Sequence, residues 1–360
     1  MSNEWNLTEL GDLGVLRLQG PDAVRFLQGQ VSNDVDRLTP EHSQLAGYHN
    51  PQGRAIALLR LVQLVPEDLL AILPRELAPT VASRLGKFVL RAKVKITDES
   101  ASWRVAGLVA PHVSAGSVGS DAPASEAPAA SWAAKQFEEA SARVVTTGES
   151  TSVAAQLEDA NSVVDLPTAS ALMLPDEVNG QSRSDTTAIV RVGATPARWL
   201  IVSPADQPFQ LSGCAPGTRD AWRLLDIAAG LPAVYATTSE EFVAQMLNLD
   251  ALGGIAFDKG CYTGQEVIAR AHYRGRVKRR MQRFVSLAPA RLAVGQSGQL
   301  SDGRAFKIVE AASLPDGRCE FLAVAPTSVN APLAADEHTE GVETTVVGME
   351  VLPLPYPLPD

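Results

Sequence analysis

Apolar positions along the chain switch repeatedly between the two-residue period of a strand and the 3.6-residue period of a helix. Gly14-Val15-Leu16-Arg17-Leu18-Gln19-Gly20 alternates as a strand. Pro21, at a first helical position, then opens a short helix through Ala23, Phe26 and Leu27 that Gly29 ends. The turn Asn50-Pro51-Gln52-Gly53 leads into an apolar strand over Ala55–Val65, interrupted by Arg60 and Gln63. Leu77, Val81, Leu85 and Phe88 share one face of a helix, and Lys93-Val94-Lys95-Ile96 alternates again as a strand.

Farther along, residues 188–192 and 199–202 are apolar runs around a glycine and proline turn, the pattern of a hairpin. Thr218 caps a helix that places Trp222, Leu225 and Ala229 on one face and stops at Gly230-Leu231-Pro232. Beyond Met281 only short strands are predicted, at 282–287, 306–311, 320–325 and 344–352, which suggests a small closing barrel or sandwich. Residues 112–165 break the pattern. They are rich in alanine, serine and glutamate and poor in large apolar side chains, so they bury too little surface to offset ordering entropy and read as an insertion.

Composition narrows the class. A chain of 360 residues, 45% hydrophobic and 20% charged, holds two or three packed domains. The N-terminus is polar, and the most apolar stretch carries Arg60 and Gln63, so neither a signal peptide nor a membrane span is expected. The three cysteines, Cys214, Cys261 and Cys319, lack the paired spacing of a disulfide framework or zinc site, which points to a reducing cytoplasm. No stably bound metal is expected. A net charge of -10 argues against broad nucleic-acid binding, which needs a basic footprint. Phosphate-cradling loops, zinc-protease helices and nucleophile elbows are missing from the sequence.

The chemistry concentrates in Leu252-Gly253-Gly254-Ile255-Ala256-Phe257-Asp258-Lys259-Gly260-Cys261-Tyr262-Thr263-Gly264-Gln265-Glu266. Thr263 and Glu266 have capping-box spacing, so a helix is expected to start there with Cys261 just before it. Lys259, two residues from Cys261, and the helix terminus would both favour a thiolate, which makes Cys261 a reactive or metal-seeking thiol. Cys214, in a turn, and Cys319, in a strand pattern, read as structural. Downstream, Arg270, Arg274, Arg276, Lys278, Arg279, Arg280 and Arg283 interleave with His272 and Tyr273. This run suits an anionic partner: a folate glutamate tail, RNA phosphates or an acidic protein surface. Its alternative is a solvated strand edge protected by charge.

The segment from Lys259 to Glu266 resembles the motif of the YgfZ family, relatives of the glycine-cleavage T-protein that include a mitochondrial iron-sulfur assembly factor. The resemblance extends to Gly20-Pro21-Asp22-Ala23, Phe26-Leu27-Gln28-Gly29-Gln30-Val31, Gln52-Gly53-Arg54, Val267-Ile268-Ala269-Arg270 and Leu352-Pro353-Leu354-Pro355-Tyr356. It implies an α+β, T-protein-like fold. A discontinuous N-terminal folate-binding domain would take residues 1–50 and 215–280, a ferredoxin-like middle domain 51–214 with the insertion, and a C-terminal β-barrel 281–360.

The resemblance also implies a tetrahydrofolate-binding accessory factor that serves assembly or repair of iron-sulfur enzymes, including tRNA-thiolating ones, and so tRNA modification. The family's required cysteine falls on Cys261, a transient metal ligand at most, with Lys259 beside it. Folate contacts are implied at Trp222, Tyr262, Gln265, Glu266, Arg270 and Arg274. A second family tryptophan falls near Leu13, where this chain departs from the pattern. RNA contact through Arg274 to Arg283, no membrane association and a monomeric state complete the expectation. The alternative is a folate-dependent aminomethyltransferase or related one-carbon enzyme. T-proteins carry a carboxylate just after the turn at which this chain reads Gln52-Gly53-Arg54-Ala55-Ile56-Ala57, with no aspartate.

Overall fold

Among the described residues, the computed structural model has three β-sheets and four short α-helices. It describes residues 5–111, 174–184, 186–207, 211, 214–275, 277–300, 302–327, 345–346 and 348–359. With strands numbered in chain order, the first sheet joins β2 (Leu13–Gln19), β3 (Gln44–His49), β4 (Ala55–Val65), β5 (Asp68–Pro74) and β6 (Lys95–Asp98) in the order β3-β4-β5-β2-β6. The second joins β1 (Trp5–Glu9), β7 (Trp103–Val109), β8 (Gln181–Ser184), β9 (Thr187–Gly193), β10 (Arg198–Pro204) and β11 (Cys214–Pro216) in the order β11-β1-β7-β10-β9-β8. The third joins β12 (Arg279–Ser286), β13 (Ser297–Gln299), β14 (Ala305–Ser313), β15 (Cys319–Pro326), β16 (Thr345–Val346) and β17 (Met349–Leu352) in the order β16-β13-β14-β15-β12-β17. The helices are α1 (Ala23–Gln28), α2 (Ala78–Gly86), α3 (Arg219–Ala228) and α4 (Gln265–Arg274).

The continuous apolar run of β4 reflects burial on both faces of the first sheet. Val15, Val62, Leu70 and Ile72 pack towards the second sheet, against Val105, Val190, Val202 and Trp222. Leu16, Leu18, Leu59, Leu61 and Leu69 pack on the other side against α1, α2 and the segments around Leu247 and Tyr262. The predicted helix face is seen at Leu77, Val81 and Leu85, which are buried, whereas Phe88 lies beyond the end of α2 and is exposed.

Three expectations change. A domain boundary at 50/51 falls inside the β3–β4 hairpin, and β2 pairs with β5 along its whole length, so the first sheet runs across that boundary. The N-terminal β1 joins the second sheet by pairing with β7 and β11. The third sheet has edges at β16 and β17, which are not hydrogen-bonded to each other among the described residues, so it is an open sheet rather than a closed barrel. The insertion at 112–165, Arg276 and Thr344 lie outside the described residues.

His49, at the end of β3, is fully buried over Gly47, and neither ring nitrogen has a hydrogen-bond partner among the described residues. Burial pushes its pKa down from 6.5 to about 4. The unfolded chain therefore takes up a proton that the folded chain refuses, so stability is present above pH 6.5 and falls as pH drops towards 4. The expected loss is about 3 kcal/mol. Urea unfolding of wild type and His49→Leu at pH 7 and pH 4.5 measures it: the variant is expected to have the flatter profile, and parallel profiles refute the assignment.

Candidate functional site

All three sheets contribute to a cavity of about 130 Å³. Its apolar wall includes Leu13, Leu58, Ile72, Leu200 and Trp222, and its polar groups include Arg60, Arg219, Asp226, Tyr235 and Glu310. Helix α3 delivers Trp222 and Asp226 one turn apart. Its start is fixed by Thr218 Oγ1, which accepts from the Ala221 N–H at 3.1 Å, and Gly230 leaves the helix with φ of 63°.

The Trp222 ring is held between two partners. On one side is Gly107 of β7, where a Cβ would stand 2.4 Å from ring carbons Cε3 and Cζ3. The other is the Arg198 guanidinium, 5.2 Å from the ring centroid. Arg198 is buried, donates through Nη1 to Asp226 Oδ1, and has no partner for Nη2 among the described residues. Gly193 makes room for this side chain, since a Cβ there would meet Arg198 Nε at 2.5 Å.

Burial, followed by repulsion from Arg198, lowers the Arg60 pKa to about 10. Burial also raises the Glu310 carboxyl above the usual carboxylate range, and the Tyr235 hydroxyl donates to its Oε2. A flat apolar wall beside a buried cation, a paired carboxylate and a carboxyl–phenol pair suits a planar heteroaromatic ring carrying both donors and acceptors.

The cysteine loop is a second, separate assembly. Lys259 Nζ donates to the carbonyls of Gln28, Val31 and Asn33 at 2.7, 2.8 and 2.6 Å and lies 5.2 Å from the Tyr262 ring centroid. Burial lowers its pKa to about 8 against the pull of Asp34 and Asp36. An ammonium has three protons, and all three are committed here, so Lys259 anchors the loop to the end of α1 instead of serving Cys261. Tyr262 is buried in the core, and burial pushes its phenol up to about 12.

The expected capping box does not form. Helix α4 starts at Gln265, and its cap is Gly264, in the left-handed region with φ of 84° and no side-chain cap bond. A Cβ at Gly264 would stand 2.6 Å from the Asn50 carbonyl and 3.0 Å from Gly53 Cα. The close approach of the loop to the Asn50–Gly53 turn decides the helix start, and only glycine permits it. Cys261 is exposed, as expected, one residue further from the helix than the box would place it, while Cys319 is buried and Cys214 half-buried.

The predicted site residues thus separate. Trp222 lines the cavity, whereas Tyr262, Gln265, Glu266, Arg270 and Arg274 do not; the last three are exposed on α4. The basic run separates too. Arg280 is buried against Asp250 and Arg283 pairs with Glu320, so both are structural, while Arg270, Arg274 and Lys278 are exposed. Sequence reasoning missed Arg60, Arg198, Asp226, Tyr235 and Glu310. The available signal was charge in the wrong place: Arg60 interrupts an apolar strand, Arg198 opens one, and Asp226 lies one turn after Trp222.

No protein-family profile matches the chain. It is 28% identical over 361 residues to tRNA-modifying protein YgfZ of Yersinia pseudotuberculosis, covering 98% of this chain and 92% of that protein. It is 30% identical over 359 residues to tRNA-modifying protein YgfZ of Yersinia enterocolitica, again covering 98% and 92%. In structure it is similar to glycine cleavage system aminomethyltransferase T from Bartonella henselae, with a TM-score of 0.61 and 14% identity over 90% of this chain and 78% of that one. This likeness establishes the α+β, T-protein-like fold.

Proposed function

Because the chain belongs to the YgfZ family, whose members above are named tRNA-modifying proteins, we propose that it is a tetrahydrofolate-binding accessory factor for assembly or repair of iron-sulfur enzymes, and through them for tRNA modification. The observation that carries the folate half is the Trp222 cavity. A pterin is flat, with a donor and acceptor edge, and Trp222 contributes to the apolar lining while Asp226 and the Tyr235–Glu310 pair offer acceptors and Arg60 a donor. Folate, when bound, would supply one-carbon chemistry; the chain's own residues bind and orient it. Arg270 and Arg274 lie away from the cavity lining and are not part of this reading.

From β4, the cavity receives Leu58 and Arg60, neither of them a carboxylate. A buried cation at Arg60, with Arg198 near it, repels a protonated amine donor, which disfavours aminomethyl transfer. Cys261, exposed on its anchored loop, is assigned the handling of a sulfur or metal in transit. No helix among the described residues is long and apolar enough to cross a membrane, and a cytoplasmic monomer is the working assignment. Calorimetric titration with tetrahydrofolate tests the reading: saturable one-to-one binding is expected, and a protein that takes up none overturns it.

A further inference from the structure

Helix α4 presents a stripe that the folate reading leaves unused. Arg270, Tyr273 and Arg274 lie at helical spacing opposite Ile268, which is buried. Arg270, Arg274 and the following Lys278 are exposed, and none makes an ion pair among the described residues. Between residues 258 and 278 only two side chains are acidic, Asp258 and Glu266. Asp258 is engaged by Arg37 at 2.8 Å, and Glu266 lies one turn before Arg270. In this segment Arg270, Arg274 and Lys278 thus stand against one carboxylate without an ion pair among the described residues, on a chain whose net charge is -10.

An aromatic ring stands within this patch, bordered by two more. Tyr273 is 67% exposed. His272, also exposed, stacks on Phe257 at 3.8 Å with an interplanar angle of 15°, and meets Tyr273 edge-on at 4.7 Å. A face made only to neutralise acidic protein would need the cations without exposed rings. Unpaired cations beside an open ring match single-stranded nucleic acid, whose phosphates take the arginines and lysine and whose unstacked bases take the Tyr273 ring.

We propose that the α4 face formed by Arg270, Tyr273 and Arg274, with Lys278 beyond its end, binds single-stranded RNA. The proposal rests on the tRNA half of the function above, but its surface is distinct from the cavity. It lies on the helix that directly follows the Cys261 loop, so an RNA on it would lie next to that loop in the chain.

The test is fluorescence anisotropy of a labelled 12-nucleotide single-stranded RNA with the full chain, from 50 to 200 mM salt. Three phosphate contacts predict a fall in affinity of about 20-fold over that range. Arg270→Ala and Arg274→Ala are each expected to flatten the logarithmic salt slope by about 0.7. Tyr273→Ala is expected to weaken binding by about 5- to 100-fold with the slope unchanged, and Tyr273→Phe to restore it. All four substitutions are on exposed side chains, and equal thermal midpoints verify the fold. No binding at 50 mM salt, wild-type affinity in Tyr273→Ala, or displacement of RNA by poly-L-glutamate as effective as by unlabelled RNA overturns the proposal. Tyr273→Ala is expected to keep wild-type tetrahydrofolate affinity, so failure here leaves the folate reading standing and failure there leaves this one standing.

Discussion

Arg280→Ala is expected to cost about 3–5 kcal/mol of stability, because it strands a buried carboxylate. Arg280 donates to Asp250 Oδ1 and Oδ2 at 3.0 and 2.9 Å and to the Gln245 carbonyl at 3.1 Å, with both side chains of the pair at most 5% exposed. The pair ties the segment leading into the cysteine loop to β12, aided by Asn248 Nδ2, which donates to the Met281 carbonyl at 2.9 Å. Removing one partner leaves the other charged in a dry site, whereas removing both does not. The double substitution Arg280→Met with Asp250→Leu is therefore expected to recover most of the loss. Urea midpoints of the two single variants and the double variant measure this. An Arg280→Ala cost under about 1 kcal/mol contradicts a buried, paired charge.

Trp222→Ala is expected to remove about 3–5 kcal/mol of stability and to weaken tetrahydrofolate binding at least about tenfold. The ring fills space between β7 and Arg198, and without it the Arg198 guanidinium loses its π partner while remaining buried. Gly107→Ala separates ring position from ring presence. The added methyl would overlap Cε3 and Cζ3, so the ring must move, with an expected cost of about 1–3 kcal/mol. If the ring position matters to the ligand, Gly107→Ala binds tetrahydrofolate about tenfold more weakly even under conditions where it is fully folded. Wild-type affinity in both variants, measured by calorimetry, removes Trp222 from the site.

Local order was legible where a single physical rule decided it. The span of β4, the β9–β10 hairpin and the Thr218 cap of α3 follow from periodicity, turn residues and a side-chain cap, and the structure has each of them. The cysteine loop was legible as an exposed thiol but not in its wiring. Thr263 and Glu266 have the spacing of a capping box, yet the contact of Gly264 with Asn50 and Gly53 overrides it. That contact joins residues more than 200 positions apart, which local spacing does not encode. Lys259 illustrates the same limit. Proximity in sequence suggested Cys261 as its partner, while the fold brings three carbonyls, from the end of α1 and the segment after it, to its ammonium.

The cavity was the least legible part. Its polar groups come from β4, α3, the segment after Gly230 and β14, and each lies in a stretch dominated by apolar neighbours. Only their convergence gives Arg60, Asp226, Tyr235 and Glu310 a shared meaning. The basic run shows the opposite error, since closeness in sequence suggested one surface. Instead, the strand buries Arg280 against Asp250 and pairs Arg283 with Glu320, while α4 and the turn after it expose Arg270, Arg274 and Lys278.

The central claim, that Cys261 on its anchored loop supports iron-sulfur enzymes acting on tRNA, is tested most directly in cells lacking the endogenous gene. Thiolated tRNA nucleosides are quantified by mass spectrometry after expression of wild type or Cys261→Ala at equal abundance. The expected result is restored modification with wild type and, with Cys261→Ala, a level no higher than in cells carrying empty vector. Full restoration by Cys261→Ala contradicts the assigned role of the thiol.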